Sequence, residues 1–237
     1  MLIYIYGFSC YYIYSSNGAM IHKANGEKLT AYPIDKSEAR KVLEYMDKNK
    51  FPYSVFTEDI IFQKDDNLTR LKNDYKNTKI LNSPLADMGL KTLSELFTAE
   101  YKDVIRVSHY EEILSSDKDL FYIAGNSFNQ ERLDNGMKDL SLIKTLNISS
   151  SAFHNFDATN IYASKGQAVE FLANYLNIPL NETVAVGDNY NDISMLEKVK
   201  YSIAMGNANE SVKNICRYTT LNNSENGVAY AIKKYLL

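Results

Sequence analysis

Tryptophan is absent from this 237-residue sequence, and cysteine occurs only twice, as Cys10 and Cys216. Two cysteines cannot form the dense disulfide framework of small secreted domains, so the composition favours a reducing, cytoplasmic compartment. An excess of positive charge is also lacking, because 26 Lys and Arg residues face 29 Asp and Glu residues, for a formal net charge of −3. Proteins that bind nucleic acid usually carry a marked basic excess. We therefore expect no nucleic-acid partner.

No stretch of the sequence is apolar for long enough to cross a membrane. The longest apolar run, residues 1–14, falls short of the roughly 20 residues that a membrane helix needs. It follows no Lys or Arg and contains no small-residue cleavage site, so it is not typical of a signal peptide. We therefore expect neither a membrane partner nor secretion. The Ile and Tyr content of the run favours a buried strand, and its abrupt start predicts that something upstream is missing.

Turn signals divide the first part of the sequence into short strands. The apolar run is followed by Asn17-Gly18, and a second pair, Asn25-Gly26, predicts a β-hairpin. From residue 33 to residue 156, helix-like and strand-like segments mix in a pattern typical of an α+β domain. The helices predicted there are 37–49 (with Ser37 as N-cap), 65–75, 93–97, 111–115 and 127–140, and the predicted strands are 51–56, 59–63, 104–107, 120–124 and 148–156.

The pattern becomes regular after residue 165, where helices alternate with short apolar runs. Such alternation predicts an α/β fold with a parallel, doubly wound sheet. The helices predicted in this part are 166–176, 193–199, 211–216 and 227–236, and the predicted strands are 183–186, 201–205 and 218–221.

Two carboxylates follow the first of these strands. Asp188 comes directly after Gly187, and Asp192 lies four residues further on. Ligands of a parallel sheet bind beyond the carboxyl ends of its strands, and carboxylate oxygens suit Mg²⁺, which keeps several waters and uses one or two carboxylates. The two residues therefore predict a Mg²⁺ site. The alternative, to which we give equal weight, is that Asp192 is a helix N-cap and Asp188 a turn residue.

A lysine opens the helix that precedes this strand. A cation is unusual at a helix start, because the helix dipole there favours anions. Lys165, close to a helix N-terminus and to two carboxylates, would make a favourable site for a phosphate group. The alternative is an ordinary solvated lysine on the surface.

Five short segments around and beyond these positions form a pattern. They are Ser164-Lys165-Gly166, Gly187-Asp188-Asn189-Tyr190-Asn191-Asp192-Ile193-Ser194-Met195-Leu196, Ile203-Ala204-Met205-Gly206-Asn207-Ala208, Val212-Lys213 and Asn226-Gly227-Val228-Ala229. The first two resemble motifs III and IV of the haloacid dehalogenase superfamily. The other three are similar to its Cof-type subfamily, class IIB, which carries a large cap domain. With the early Asn-Gly turn and hairpin, the resemblance covers nearly the whole chain.

The resemblance implies a metal-dependent phosphatase. Asp188 would bind Mg²⁺ directly, Asn191 and Asp192 would support the metal site, and Lys165 would hold the phosphate and offset the charge of the nucleophile. The implied reaction is hydrolysis of phosphate monoesters of small metabolites through an aspartyl-phosphate, a covalent route open to carboxylates.

The resemblance also implies a division of the chain and a substrate pocket. Residues 1–32 would be a remnant of the family's core, residues 33–157 an α+β cap domain of type C2, and residues 158–237 the second half of the core. The cap domain would close over the substrate and select it. Asn17 and Gly18 would border the pocket.

One motif of the family is absent. Its chemistry begins with Asp-x-Asp-Gly-Thr at the end of the first strand, whereas the only Asp-x-Asp here is Asp117-Lys118-Asp119, inside the presumed cap domain. The family's second motif, a Ser or Thr after the second strand, is missing too. We therefore expect a chain that is truncated at its N-terminus and inactive as it stands, with an incomplete core sheet. The alternative is a non-catalytic binding module that keeps the cap domain and half of the metal and phosphate site.

The remaining candidates have simpler interpretations. Residues 1–6 could take the place of the missing core strand, since they are rich in Ile and Tyr. No His or Cys stands at metal-ligand spacing, so both cysteines are interpreted as buried apolar residues. The three histidines, His22, His109 and His154, are isolated and are interpreted as structural. For Tyr53 and Phe56, packing is favoured over substrate contact.

Overall fold

The computed structural model describes residues 2–4, 11–78 and 83–235. Its contacts divide the chain into two compact units. The first, which we call the terminal unit, comprises Met1–Thr30 and Tyr162–Leu237. The second, which we call the middle unit, is Ala31–Ile161. Helices and strands are numbered below in chain order. No helix within the described ranges has both the length and the apolar composition needed to span a membrane.

The terminal unit begins with a four-stranded sheet in the order β1-β2-β3-β4. The strands are β1 (Leu2–Tyr4), β2 (Tyr11–Ser15), β3 (Met20–Lys23) and β4 (Lys28–Ala31). The turn predicted at Asn17-Gly18 is confirmed, with φ of 55° at Asn17 and 95° at Gly18. The hairpin predicted at Asn25-Gly26 is confirmed as well, and Gly26 N donates to the carbonyl of Lys23 at 2.9 Å.

The start of the chain joins this sheet. β1 pairs antiparallel with β2, and Tyr4 lies opposite Tyr11. Between described residues, no pairing links β1 to the parallel strands of the C-terminal segment. The hypothesis that residues 1–6 replace a core strand is therefore not confirmed, and residues 1, 5 and 6 lie outside the described ranges. Cys10 lies outside them too.

The middle unit is a mixed sheet with helices, as the irregular α+β pattern predicts. Its strand order is β7-β6-β5-β8-β10-β9, in which only the β6–β7 pair is parallel. Its elements are α1 (Lys36–Lys48), β5 (Tyr53–Phe56), β6 (Ile61–Lys64), α2 (Asn67–Lys76), α3 (Pro84–Thr98), β7 (Val104–Val107), α4 (Tyr110–Ser115), β8 (Tyr122–Asn126), α5 (Gln130–Leu140), β9 (Leu146–Ser149) and β10 (Asn155–Asn160).

Three sequence predictions for this unit are wrong in detail. The N-cap of α1 is Asp35 rather than Ser37, because the Asp35 carboxylate accepts the backbone N–H of Ser37 at 2.7 Å. The short helix predicted at 93–97 belongs to a fifteen-residue helix, α3, which starts at a proline suited to a first turn. The strand predicted at 148–156 is two strands, since Asn155 accepts the N–H of Ala152 and closes a turn between them.

His154 lies in an aromatic environment within the middle unit. Its ring centroid is 4.7 Å from that of Phe153 and 5.8 Å from that of Phe128. Its Nδ1 atom is buried and finds no hydrogen-bond partner in the described part of the chain. Burial lowers the pKa of the imidazole, because the charged ring would lose its hydration. The structural role predicted for this histidine agrees with this setting.

A pH dependence of stability follows from the buried imidazole. The folded state binds this proton less readily than the unfolded chain, so the stabilisation is present above the unfolded pKa of about 6.5 and is lost as the pH falls towards the lower folded pKa. We expect the free energy of unfolding, measured with urea between pH 7.5 and pH 5, to fall more steeply in the wild type than in His154→Asn. Equal slopes in the two proteins would contradict this expectation.

The C-terminal segment of the terminal unit alternates helix and strand as predicted. Its parallel sheet has the order β11-β12-β13. The elements are α6 (Lys165–Tyr175), β11 (Val184–Gly187), α7 (Ile193–Leu196), β12 (Tyr201–Ala204), α8 (Glu210–Ile215), β13 (Tyr218–Thr219) and α9 (Gly227–Tyr235). Cys216 is half-buried against the apolar cluster between these elements, so the interpretation as a buried residue holds in part.

Candidate functional site

The candidate site is formed at the carboxyl end of β11, where the chain turns into α7. Gly187 ends the strand, and a Cβ atom there would come within 2.6 Å of the Cβ atom of Asp192. Only glycine therefore lets the loop fold back so closely on itself. The carbonyl of Gly187 accepts the N–H of Met205 at 2.9 Å, which fixes the loop against the end of β12.

Asp192 is the buried anchor of this loop. It is 3 % exposed, and its Oδ2 accepts the backbone N–H of Asp188 at 2.9 Å and that of Asn189 at 3.0 Å. Its Oδ1 lies 2.5 Å from Nζ of Lys165. Both carboxylate oxygens thus already accept from donors of the protein. In this arrangement Asp192 holds both the loop and the ammonium group of Lys165.

Lys165 is the first residue of α6, as the sequence predicts. Ser164 caps this helix, since its Oγ accepts the N–H of Gln167 at 3.1 Å. The N–H of Gly166 donates to Oγ of Ser194 at 3.1 Å, and a Cβ atom on Gly166 would lie only 2.3 Å from the carbonyl oxygen of Ser194. The start of α6 is therefore pressed against α7. This close approach places the Lys165 ammonium beside Asp192.

Asp188 carries the exposed carboxylate of the loop. Its Oδ2 accepts from Nδ2 of Asn207 at 3.3 Å. Asn191, in the same loop, donates from Nδ2 to Oδ1 of Asn17 at 3.0 Å. The Oδ1 atom of Asn191 is buried and has no hydrogen-bond partner among the residues described. Since a buried acceptor without a donor is costly, this oxygen is a candidate acceptor for a bound group.

The turn after β2 also reaches this region. Gly18 has a φ of 95°, and a Cβ atom on it would lie 2.4 Å from the carbonyl oxygen of Ser164. Asn17 precedes it and contacts Asn191. The structure thus brings the turn, the start of α6 and the loop after β11 together. All six site residues named from the sequence lie in this one part of the terminal unit.

Asn207, which contacts Asp188, is a site residue that the sequence alone did not predict. Its position in the sequence, shortly after a predicted strand, could have indicated it. Asn207 follows the predicted strand that became β12, and β12 is the parallel neighbour of β11. Polar residues that follow neighbouring parallel strands meet at the same edge of a sheet. What the sequence did not reveal was that β11 and β12 are adjacent.

The charge of Asp192 acts on its surroundings. Burial raises the pKa of the Tyr14 phenol, and the negative charge of Asp192 raises it further. The pKa of the Cys216 thiol is raised by burial and by the same carboxylate. Both groups are therefore kept neutral. Lys165 is the cation that pairs with Asp192.

The donor set fits a hard cation. Among the described residues no group of three His, Cys, Asp or Glu side chains is arranged to hold a metal. Mg²⁺ needs only one or two carboxylates and otherwise keeps its waters. Asp188 offers an exposed carboxylate, and Asn191 offers the unpaired amide oxygen. These two residues could hold Mg²⁺.

Comparisons with known proteins identify a family model, relatives and solved structures that are similar to this chain. A family model described as haloacid dehalogenase-like hydrolase matches residues 3–232. The phosphatase YwpJ of Bacillus subtilis is 37% identical over 228 residues, which cover 95% of this chain and 79% of the relative. A solved haloacid dehalogenase-like hydrolase from B. subtilis has a TM-score of 0.79 at 35% identity, with 95% of this chain and 79% of that chain covered. The subclass IIB sugar phosphatase BT4131 shares the fold, with a TM-score of 0.69 at 21% identity over 92% of this chain and 72% of its own.

Proposed function

Because the chain belongs to the haloacid dehalogenase-like hydrolases and has the α/β fold of that family, we propose that the loop after β11 serves Mg²⁺-dependent hydrolysis of phosphate monoesters of small metabolites. Phosphatase relatives support a phosphatase function. Support for Mg²⁺ binding comes from one observation, the buried amide oxygen of Asn191 that lacks a partner in the described part of the chain. That oxygen and the exposed carboxylate of Asp188 are the pair of acceptors that a hydrated hard cation would use.

The protein's own residues supply binding and charge. Asp188 and Asn191 would hold Mg²⁺, which when bound offsets negative charge on phosphate oxygens. The Lys165 ammonium has three N–H donors, of which Asp192 accepts one. No other acceptor within the described ranges is seen on this ammonium, so its remaining donors would serve a phosphate oxygen. Asp192 keeps Lys165 in place and fixes the loop through two backbone N–H groups.

The middle unit is proposed as the substrate-selecting cap domain that the family resemblance implies. Its limits are Ala31–Ile161. The boundaries expected from the sequence, 33 and 157, lie within a few residues of these limits. We propose that the segments on either side, which form the terminal unit, carry the metal and phosphate site.

The Asp-x-Asp-Gly-Thr motif, which the family resemblance implies would carry the attacking carboxylate, is absent from the 237 residues. We therefore propose that this chain by itself binds a divalent cation and phosphate but does not turn over substrate. Binding without turnover is also what the second candidate function, a non-catalytic binding module, requires. The absence of the Asp-x-Asp-Gly-Thr motif therefore favours an inactive phosphatase relative and a binding module equally.

The test of this proposal separates binding from turnover. We expect negligible hydrolysis of p-nitrophenyl phosphate with Mg²⁺, together with saturable Mn²⁺ binding. Because Asp188 would contact the ion directly, Asp188→Ala should weaken Mn²⁺ binding by at least about a hundredfold, the upper end for loss of a merely supporting residue. Asp117→Ala, an exposed carboxylate of the middle unit, is the matched control and should leave binding unchanged.

Two results would contradict the proposal. Hydrolysis that persists in this chain and disappears in Asp188→Ala would show that a nucleophile other than the missing motif is at work. Absence of Mn²⁺ binding to the wild type would show that the loop after β11 is not a cation site.

A further inference from the structure

Asn207 connects the candidate metal ligand to a second loop. Its Nδ2 donates to Oδ2 of Asp188 at 3.3 Å, and its Oδ1 accepts the backbone N–H of Asn223 at 2.9 Å. One amide therefore joins the loop after β11 to the segment after β13. These two bonds involve opposite ends of the same side-chain amide.

The orientation of this amide is fixed by its backbone partner. A backbone N–H can only donate, so the group of Asn207 that faces Asn223 has to be the oxygen. The NH₂ group then has to face Asp188. The assignment of oxygen and nitrogen, which is ambiguous for many asparagines, follows here from chemistry.

The segment that holds Asn207 is itself tightly tied. Gly206 N donates to the carbonyl of Leu221 at 3.0 Å, and a Cβ atom on Gly206 would lie 2.7 Å from Oδ1 of Asn222. The carboxylate of Glu225 accepts the N–H of Asn222 at 3.2 Å, which closes a short turn. Asn223 is therefore part of a constrained loop, and its backbone N–H can hold the side chain of Asn207 in a fixed position.

The donor group of Asn207 is a neutral amide, and this determines its effect on the charge of Asp188. Lys165 neutralises the carboxylate that it contacts, whereas an amide holds a carboxylate and leaves its full negative charge. Asn207 occupies Oδ2 of Asp188 and leaves Oδ1 to other partners. The carboxylate is thus oriented through Oδ2 while it keeps its negative charge. Groups that orient a metal ligand in this way raise metal affinity.

We propose that Asn207 is a positioning residue that fixes Asp188 for a divalent cation and couples this site to the backbone of Asn223. This inference rests on the proposed function, in which Asp188 binds the cation. Asn207 itself does not contact the cation. Its contribution is the fixed position of the Asp188 carboxylate.

The experiment compares three proteins in a Mn²⁺ titration followed by the EPR signal of free Mn²⁺. Loss of a supporting residue weakens metal binding by about 10- to 100-fold, so we expect the Kd of Asn207→Ala to rise by about that factor. Asn214→Ala, an exposed asparagine of α8, is the matched control and should bind like the wild type. Urea unfolding of each variant checks that it is folded.

A second measurement needs no variant and detects the coupling itself. In a Mg²⁺ titration of ¹⁵N-labelled wild type, the amide resonance of Asn223 should shift with the same midpoint as metal binding, because its acceptor is the amide that holds Asp188. A residue that merely tied two loops together would give no such shift. The amide resonance of Asn214 should stay unchanged.

The outcomes separate the inference from the proposed function. If the wild type binds Mn²⁺ but Asn207→Ala binds it equally well, or if the Asn223 resonance does not respond, the inference about Asn207 is overturned and the cation site remains. If the wild type does not bind Mn²⁺, the proposed function is overturned and the inference with it.

Discussion

Asp192→Ala is expected to lower the free energy of unfolding by about 3–5 kcal/mol, the range for removing one partner of a buried ion pair. The substitution leaves the Lys165 ammonium, whose side chain is only 19% exposed, without its carboxylate. It also removes the acceptor of the N–H groups of Asp188 and Asn189. The measurement is equilibrium unfolding in urea.

Asp188→Ala is the matched control for this effect. Asp188 belongs to the same loop, yet its carboxylate is exposed and makes one long hydrogen bond of 3.3 Å. Exposed substitutions usually change stability by no more than about 0.5 kcal/mol. If Asp192→Ala proved as stable as Asp188→Ala, Asp192 would not be the anchor of the loop.

Gly166→Ala is expected to destabilise the protein by about 2 kcal/mol. The new Cβ atom would lie 2.3 Å from the carbonyl oxygen of Ser194, and this backbone group cannot move aside as a flexible side chain can. Overpacking of this kind costs about 3 kcal/mol at most in ordinary cases, while alanine regains about 1 kcal/mol over glycine inside a helix. The steric cost of the new Cβ atom is therefore expected to exceed the gain in helix propensity.

The neighbouring position provides the control for this glycine. Gln167 lies next to Gly166 in the first turn of α6 and is exposed, so Gln167→Ala should change the unfolding free energy by less than about 0.5 kcal/mol. Both variants are measured by urea unfolding. A Gly166→Ala protein as stable as the wild type would mean that α6 and α7 do not meet as closely as the structure shows.

The local parts of the site could be predicted from the sequence. A strand that ends in Gly187 and Asp188, and a helix that begins at Lys165, are signals within a few residues of chain. Because helices alternate with strands after residue 165, the order of elements was predictable as well. The family resemblance, which the comparisons confirm, added the expectation that these residues lie together.

Contacts between segments that are distant along the chain could not be predicted from the sequence. Asn207 reaches Asp188 only because β12 pairs with β11, and Asn17 reaches Asn191 across 174 positions of the chain. The same limit applies to the middle unit, where β10 lies between β8 and β9. Strand order depends on long-range pairing, which periodicity does not encode.

The detail of Asp192 shows how the structure refines a motif. From the sequence, two alternatives were open, a residue that supports the metal and a helix cap. Its side chain forms part of a capping box by accepting the backbone N–H of Asn189, and it also accepts from Lys165 and from the N–H of Asp188. We propose that it supports the cation site by holding the loop that carries Asp188.

A crystal structure of this chain grown with Mn²⁺, with the ion located by its anomalous scattering, tests the account most directly. We expect a peak bonded to Oδ1 of Asp188, at about the 2.1 Å typical of a small hard cation, with the Lys165–Asp192 pair intact. Such a peak at another position, with the Asp188 carboxylate free of any ion, would contradict it.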